Sequence, residues 1–272
     1  MILGLLERRN KEREEREERE EREGVKMHKE DPVCNKPSDL NTKVWRYIDF
    51  AKLVSLLSRS QLFFPRADRL GDPFEGSYPK KNVAKRSEES KELGNELAKY
   101  IPSMLSKIFK KWCSYTFISC WHLNNYESAA MWKLYLQGGE GIAIQSTVKR
   151  LCDSFRPCKQ DVYVGLVDYV DYDEDLIGNS PLSSFLHKRK SFEHEREVRA
   201  IFQKKVDILA ARLPRKQKRG YYLAVDLSIL VERVYVSPFS QDWFFELVKS
   251  IITTYKMNFE VRRSRLEDDP VY

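Results

Sequence analysis

From Val44 onward the apolar residues fall into two periods, and the switches between them lay out the elements. Val44, Trp45, Tyr47 and Ile48 predict a strand over residues 44–48. Asp49 stands where a helix cap belongs, and residues 50–58 follow as a helix with Leu53, Leu56 and Leu57 on its inner face. A second strand is predicted over residues 61–65, a buried strand over 115–123, a helix over 128–136, and a strand over 141–145 entered through Gly138-Gly139-Glu140-Gly141. Residues 83–111 read as helical, with Leu93, Leu97, Ile101, Leu105 and Ile108 at helical spacing despite Gly94 and Pro102. Further strands are expected over 162–169, 198–202, 221–225, 234–236 and 259–262, and helices over 182–192 and 242–255. Strands interrupted by helices of uneven length predict an α+β domain with a single mixed sheet and flanking helices.

The segment with the densest chemistry runs from Phe192 to Phe202. Val198, Ala200 and Phe202 alternate with Glu197, Arg199 and Ile201, so a strand here has one apolar face and one face that begins with a carboxylate and a guanidinium. Fixed charge then stands beside a core, held more firmly than on a loop.

Ahead of the domain the pattern is different. Residues 7–23 repeat Glu-Glu-Arg with period three, which supports a charged, solvent-exposed helix with no face to bury. Residues 31–41, with two prolines, read as a linker, so residues 1–41 form an extension and 42–272 the globular domain. Residues 7–23 carry seven Arg/Lys against nine Glu, so the formal charge of +7 leaves about +9 for the rest of the chain. A basic domain suits anionic partners, nucleic acid or pyrophosphate-bearing cofactors, as well as plain solubility. Five cysteines, none in a C-x-x-C pair, suggest a reduced, intracellular and cytoplasmic protein. No apolar run approaches the roughly 18 residues of a membrane span.

Three constellations are candidates for function. Arg46 lies opposite Trp45 and Tyr47 by alternation; it is either an edge-strand surface residue or a cleft residue that grips phosphate or carboxylate in a fork. Ser119, Cys120, Trp121 and His122 precede Asn124, Tyr126, Ser128 and a helix bearing Trp132 and Tyr135. Such a crowd can stack a planar ring and orient it by hydroxyls, or can be core plus turn. Cys120 as a nucleophile needs a neighbouring base that His122 does not assure. The third runs from His187, Lys188, Arg189 and Lys190 through Glu195, Glu197 and Arg199. With an early strand start Glu195 and Glu197 share a face and one carboxyl is raised for acid–base work; otherwise the segment is a salt-bridged junction with Lys188 and Arg189. His187 and His194 lack a metal-binding spacing, so no metal is expected. The loop through Asp68-Arg69-Leu70-Gly71-Asp72-Pro73-Phe74-Glu75-Gly76 is dense enough in Gly and Pro to hold a shape, and the basic stretch over 212–220 reads as a solvated hairpin loop.

Residues 44–266 resemble the family called domain of unknown function 2971. The resemblance is carried by Trp45-Arg46-Tyr47, Leu62-Phe63-Phe64, Asp72-Pro73-Phe74-Glu75-Gly76, Ser119-Cys120-Trp121, Met131-Trp132-Lys133-Leu134-Tyr135, Gly141-Ile142-Ala143-Ile144, His187-Lys188-Arg189, Glu195-Arg196-Glu197-Val198-Arg199 and Val236-Ser237-Pro238. That family implies no activity by itself. More distantly the order of motifs is similar to that of ADP-ribosyltransferases: Arg, His or Tyr on a first strand, a Ser-rich motif and helix, then Glu-x-Glu on a late strand. Arg46 with Tyr47, Ser119 with the helix from Ser128, and Glu195-Arg196-Glu197 stand in those places, although Ser119-Cys120-Trp121 replaces a Ser-Thr-Ser-like motif. The similarity implies an ADP-ribosyltransferase-like fold and NAD as cofactor, with Arg46 on the pyrophosphate and Ser119 orienting the nicotinamide ribose. Glu197 would bond the ribose 2′-hydroxyl, and Trp121, Trp132 or Tyr135 would stack on the nicotinamide. Tyr47, His122, Lys188 and Arg199 complete the expected cofactor contacts. The acceptor would be protein or nucleic acid. Two rival expectations remain: a noncatalytic nucleotide or nucleic-acid binding module, and a metal-dependent nuclease built on Asp72, Glu75, Glu195 or Glu197.

Overall fold

The structure, a computed structural model, describes residues 29–92, 98–136, 139–205, 218–268 and 270–271. The Glu-Arg repeat over 7–23, Leu93, Gly94, Leu97, Gly138 and most of the basic stretch after residue 205 lie outside the described residues.

Alternating strands collect into one seven-stranded mixed sheet, ordered β11-β10-β4-β1-β3-β8-β5. Its members are β1 (Lys43–Asp49), β3 (Thr116–Leu123), β4 (Gly141–Thr147), β5 (Val162–Leu166), β8 (Glu197–Gln203), β10 (Arg233–Val236) and β11 (Glu260–Arg263). Two short pairs stand beside it, β2 (Gln61–Pro65) with β9 (Gly220–Ala224), and β6 (Asp168–Val170) with β7 (His187–Arg189). The chain is therefore an α+β protein with a large mixed sheet and flanking helices.

One face of the sheet carries the main core. Val44, Ile48, Phe117, Trp121, Ile144, Val198, Ala200 and Val234 pack there under the helices. The first of these, α1 (Phe50–Arg59), is capped by the Asp49 carboxylate, which accepts from the Lys52 backbone N–H at 2.8 Å, and it buries Leu53, Leu56 and Leu57. Two short helices missing from the expectations, Val148–Asp153 and Leu227–Leu230, are capped by Thr147 and Asp226 and add Leu151 and Leu230 to the core. With four to six residues each, neither shows a helical period to read. The long C-terminal helix, Asp242–Thr254, brings Phe244, Val248 and Ile252.

The opposite face carries two smaller apolar clusters, one around Ile118, Phe185, Leu186 and Ile201, the other around Trp45, Tyr47, Trp132 and Tyr235. Between these clusters runs the polar side of β8.

A break in the sheet sets the site. β1 pairs along its whole length with β4, from Lys43 opposite Thr147 to Asp49 opposite Gly141. With β3 it pairs only at Val44 opposite Leu123 and Trp45 opposite His122. Beyond Trp45 the two strands part, and β2 approaches β3 instead through a bridge between Arg66 and Phe117.

The helix expected over 182–192 is not formed. Leu182, Phe185 and Leu186 supply one apolar turn, but His187 and three cations follow, and Lys188 is drawn into an extended strand that pairs with β6. The tertiary demand on Lys188 overrides helical propensity. The strand expected over 162–169 is broken at Val167, whose N–H donates to the Glu197 carbonyl, and the chain turns away as β6. Residues 31–41, expected as a linker, lie against the domain, with Cys34 buried and the Leu166 N–H donating to the Asn35 carbonyl. No helix among the described residues is long and apolar enough to cross a membrane.

Candidate functional site

The parted ends of β1 and β3 form a cleft of about 590 Å³. Arg46, Tyr47 and Ile48 line one side and Cys120, Trp121 and His122 the other, with Glu195, Glu197, Lys188 and Arg199 at a charged end. Its size falls in the range of small-molecule and cofactor sites, roughly 300–1,000 Å³.

Alternation on β8 puts Glu197 and Arg199 on the same face, and the loop holding Glu75 closes over them. Arg199 is fully buried and donates through Nε to Glu197 Oε2 at 2.7 Å, through Nη1 to Glu75 and to the Phe185 carbonyl, and through Nη2 to Glu75 Oε2 at 3.0 Å. Gly76 makes the approach of Glu75 possible. At φ of +73° it occupies the left-handed region, and any Cβ would lie 2.5 Å from the Phe185 ring.

Lys188 couples this buried pair to the cleft. Its Nζ donates at 2.6 Å to Glu195 and at 2.6 Å to Glu197. Glu195 does not share the strand with Glu197, contrary to the early-start alternative. It ends a short 3-10 turn, and Arg196 in the left-handed region, φ 40° and ψ 60°, swings the chain into β8. The two carboxyls converge nevertheless, because one ammonium holds both.

Their charges divide. Burial works against ionisation of Glu197, but Arg199 and Lys188 outweigh it and hold the carboxylate well below its usual range. Burial and the neighbouring Glu197 push Glu195 up to about 7, against the pull of Lys188. Glu195 is thus the member of the pair that exchanges a proton near neutral pH.

Arg46 is held differently. Its guanidinium donates to the Ser119 hydroxyl and, at 3.2 Å, to the Phe63 carbonyl, and lies 5.7 Å from the centre of the Trp121 ring. No carboxylate among the described residues pairs with it. Burial lowers its pKa, the mark of a cation short of compensation.

Comparison of the chain with protein-family models, curated proteins and solved structures yields no match.

The residues singled out by sequence divide into three groups. Arg46, Tyr47, Trp121, His122, Tyr135, Lys188, Glu195, Glu197 and Arg199 meet around the cleft. Ser119 sits on the other face of β3 from His122; its oxygen accepts from Arg46 and from Trp121 Nε1, so the hydroxyl positions those groups rather than facing the carboxylates. Trp132 is fully buried, edge-on to Tyr47 at 4.9 Å, with its Nε1 donating to Glu127; it supports the cleft wall and is no stacking platform.

His122 presents an orphan. Its Nδ1 lies 2.6 Å from the Glu195 carbonyl and therefore carries a proton, while its buried Nε2 has no partner among the described residues. Burial lowers the imidazole pKa, so Nε2 is a bare acceptor at neutral pH. Cys120 is pushed well up by burial and by Glu197, which keeps the thiol protonated and removes the physical basis for a thiolate nucleophile.

Sequence reasoning missed Tyr169, whose hydroxyl accepts from the Glu197 N–H at 2.8 Å, and Phe192, against which Lys188 packs at 4.6 Å. Tyr169 lay in an ordinary alternating run, and nothing local marked it. Glu75 was visible as a carboxylate of the shaped Gly/Pro loop, but its pairing with Arg199 was not.

Proposed function

We propose that the cleft binds NAD and transfers its ADP-ribose to an acceptor, protein or nucleic acid. The reading is carried by one observation: the Arg46, Trp121-His122 and Glu195-x-Glu197 segments, far apart in sequence, come from β1, β3 and the start of β8, neighbours in the sheet, and line one cleft. Arg46, with no carboxylate partner among the described residues, suits a phosphate oxygen. Trp121 and Tyr135 supply aromatic surface, and the His122 Nε2 suits the N–H of a carboxamide or the O–H of a ribose.

In this reading the bond from ribose C1′ to nicotinamide breaks with its electron pair leaving on the nicotinamide, which departs neutral. The fixed negative charge of Glu197 steadies the cationic sugar. Glu195 takes the proton that the acceptor loses as its oxygen or nitrogen bonds to C1′. The basic domain favours an anionic acceptor. The resemblance to domain of unknown function 2971 is compatible with this chemistry and does not require it.

A second reading is favoured by a specific observation. Both oxygens of Glu197 are already engaged by cations, and Ser119 faces away from it, an arrangement equally suited to a noncatalytic nucleotide-binding module. The nuclease reading asks for carboxylates free to take a metal. Asp72, Glu75, Glu195 and Glu197 are each bonded to Arg or Lys. The two nucleotide readings part on NAD labelled in its adenylate half and incubated with protein and nucleic-acid acceptors. Label transfer supports the transferase, and binding without transfer or nicotinamide release supports the module.

A further inference from the structure

Arg46 forms part of the wall between two cavities. The cleft lies on one side. On the other, between β1, α1 and the β2/β9 pair, is a second cavity of about 580 Å³ that shares Arg46, Ile48, Lys52 and Pro65 with the first. Its floor is apolar, made by Leu56, Leu62 and Ile144. Its rim is aromatic and polar: Phe63 and Tyr222 have ring centres 4.9 Å apart, and Gln61 and Ser55 stand beside them.

We propose that this second cavity seats the base and ribose of a nucleoside diphosphate whose phosphates lie on Arg46. An apolar floor suits a flat ring, the Phe63–Tyr222 pair gives the rim aromatic surface, with the Arg59 guanidinium 4.8 Å from the centre of the Tyr222 ring, and the Gln61 amide can both donate to and accept from a base edge. An aliphatic guest would use the floor and leave the rim idle. An inorganic anion would use Arg46 and leave the cavity empty. Arg46, half-buried and without a carboxylate partner among the described residues, gains a compensating charge when a phosphate arrives. Because Arg46 lines both spaces, a ligand anchored on it can extend into each, which favours a two-ended nucleotide over a mononucleotide confined to the cleft. The inference rests on the nucleotide reading of the cleft and is independent of whether transfer occurs.

The test is calorimetric titration of the full chain with ADP, with inorganic pyrophosphate and with nicotinamide mononucleotide. Ala51, exposed on α1, lines only the second cavity, so Ala51→Trp fills it without touching the cleft. The expected result is ADP binding that weakens at least about tenfold in Ala51→Trp, with pyrophosphate and mononucleotide binding unchanged. Tyr222, 42 % exposed, provides a second variant that does not burden the core. Tyr222→Ala is expected to weaken ADP by about fivefold or more through lost stacking. The proposal is overturned if wild-type protein binds ADP no better than pyrophosphate, or if both variants bind ADP as wild type does. Nicotinamide release from NAD by Ala51→Trp with an unchanged KM would overturn this inference and leave the transferase reading standing. ADP binding lost in the variant, with no nicotinamide release by wild type, would do the reverse.

Discussion

Arg46 on β1 donates a hydrogen bond to the Ser119 hydroxyl on β3 across the gap that opens beyond Trp45, the last residue of β1 paired with β3. The side chain spans the opening it helps to line. A guanidinium placed there with no carboxylate among the described residues costs desolvation energy that its two hydrogen bonds to neutral oxygens offset only in part.

Arg46→Met is therefore expected to leave stability within about 1 kcal/mol of wild type, since apolar replacement of a charge partly withdrawn from water is often neutral or better. Its effect should fall on binding. Loss of charge-assisted bonds worth about 1.5–3 kcal/mol predicts a 10- to 100-fold weaker ADP or NAD complex. Urea unfolding and calorimetry on the same variant check both halves; a large stability loss would show that Arg46 is structural.

Arg199 should behave in the opposite way. Replacing it with Met strands Glu75 and Glu197 as buried carboxylates with only Lys188 nearby, and about 3–5 kcal/mol of stability should be lost. The denaturation midpoint in urea is the readout. Glu75→Gln is expected to cost less, because Glu197 still pairs with the guanidinium.

Glu195 gives the fold a pH dependence of its own. Its pKa is raised in the folded state to about 7, from an ordinary value of 4.5. The folded protein then binds that proton more tightly than the unfolded chain. The resulting stability is complete below pH 4.5 and is lost as pH rises through about 7. Glu195→Gln mimics the protonated group and removes the slope. Relative to wild type it should gain ~3 kcal/mol between pH 4.5 and 7.5, read by chemical denaturation across that range. Glu197, lowered by Arg199 and Lys188, acts with the opposite sign; its stability is present above pH 4.5 and lost as pH falls further. A flat difference between the two proteins would mean that Glu195 ionises normally.

Arg196 tests how the carboxyl pair is assembled. It occupies the left-handed region without being glycine. Arg196→Gly should relieve a strain of roughly 1 kcal/mol while adding freedom to the unfolded chain, for a net change within about 1 kcal/mol, whereas Arg196→Val should cost more. Thermal unfolding of the two variants reads the difference.

Much of this architecture was legible as period. The strand from Val44, its Asp49 cap and the inward leucines of α1 follow from local pattern, as does the two-faced β8. The segment from Leu182 to Phe192 was misread because its conformation is set by Lys188 reaching two glutamates, a contact no local window contains. The candidate site shows the same division. Residue types and order brought Arg46, Trp121, His122 and the glutamates forward. The parting of β1 from β3, the face taken by Ser119 and the division of charge between Glu195 and Glu197 depend on pairing between distant strands.

The most direct test of the central proposal is nicotinamide release from NAD, in the presence of protein and nucleic-acid acceptors, by wild-type protein and by Glu195→Gln, with both shown to be folded. The account predicts release by wild type with a rate that rises as Glu195 ionises around pH 7, and a loss of at least about 100-fold in the variant, in the range of a missing general base. Equal rates in the two proteins, or no release and no NAD binding by wild type across the pH range, would contradict it.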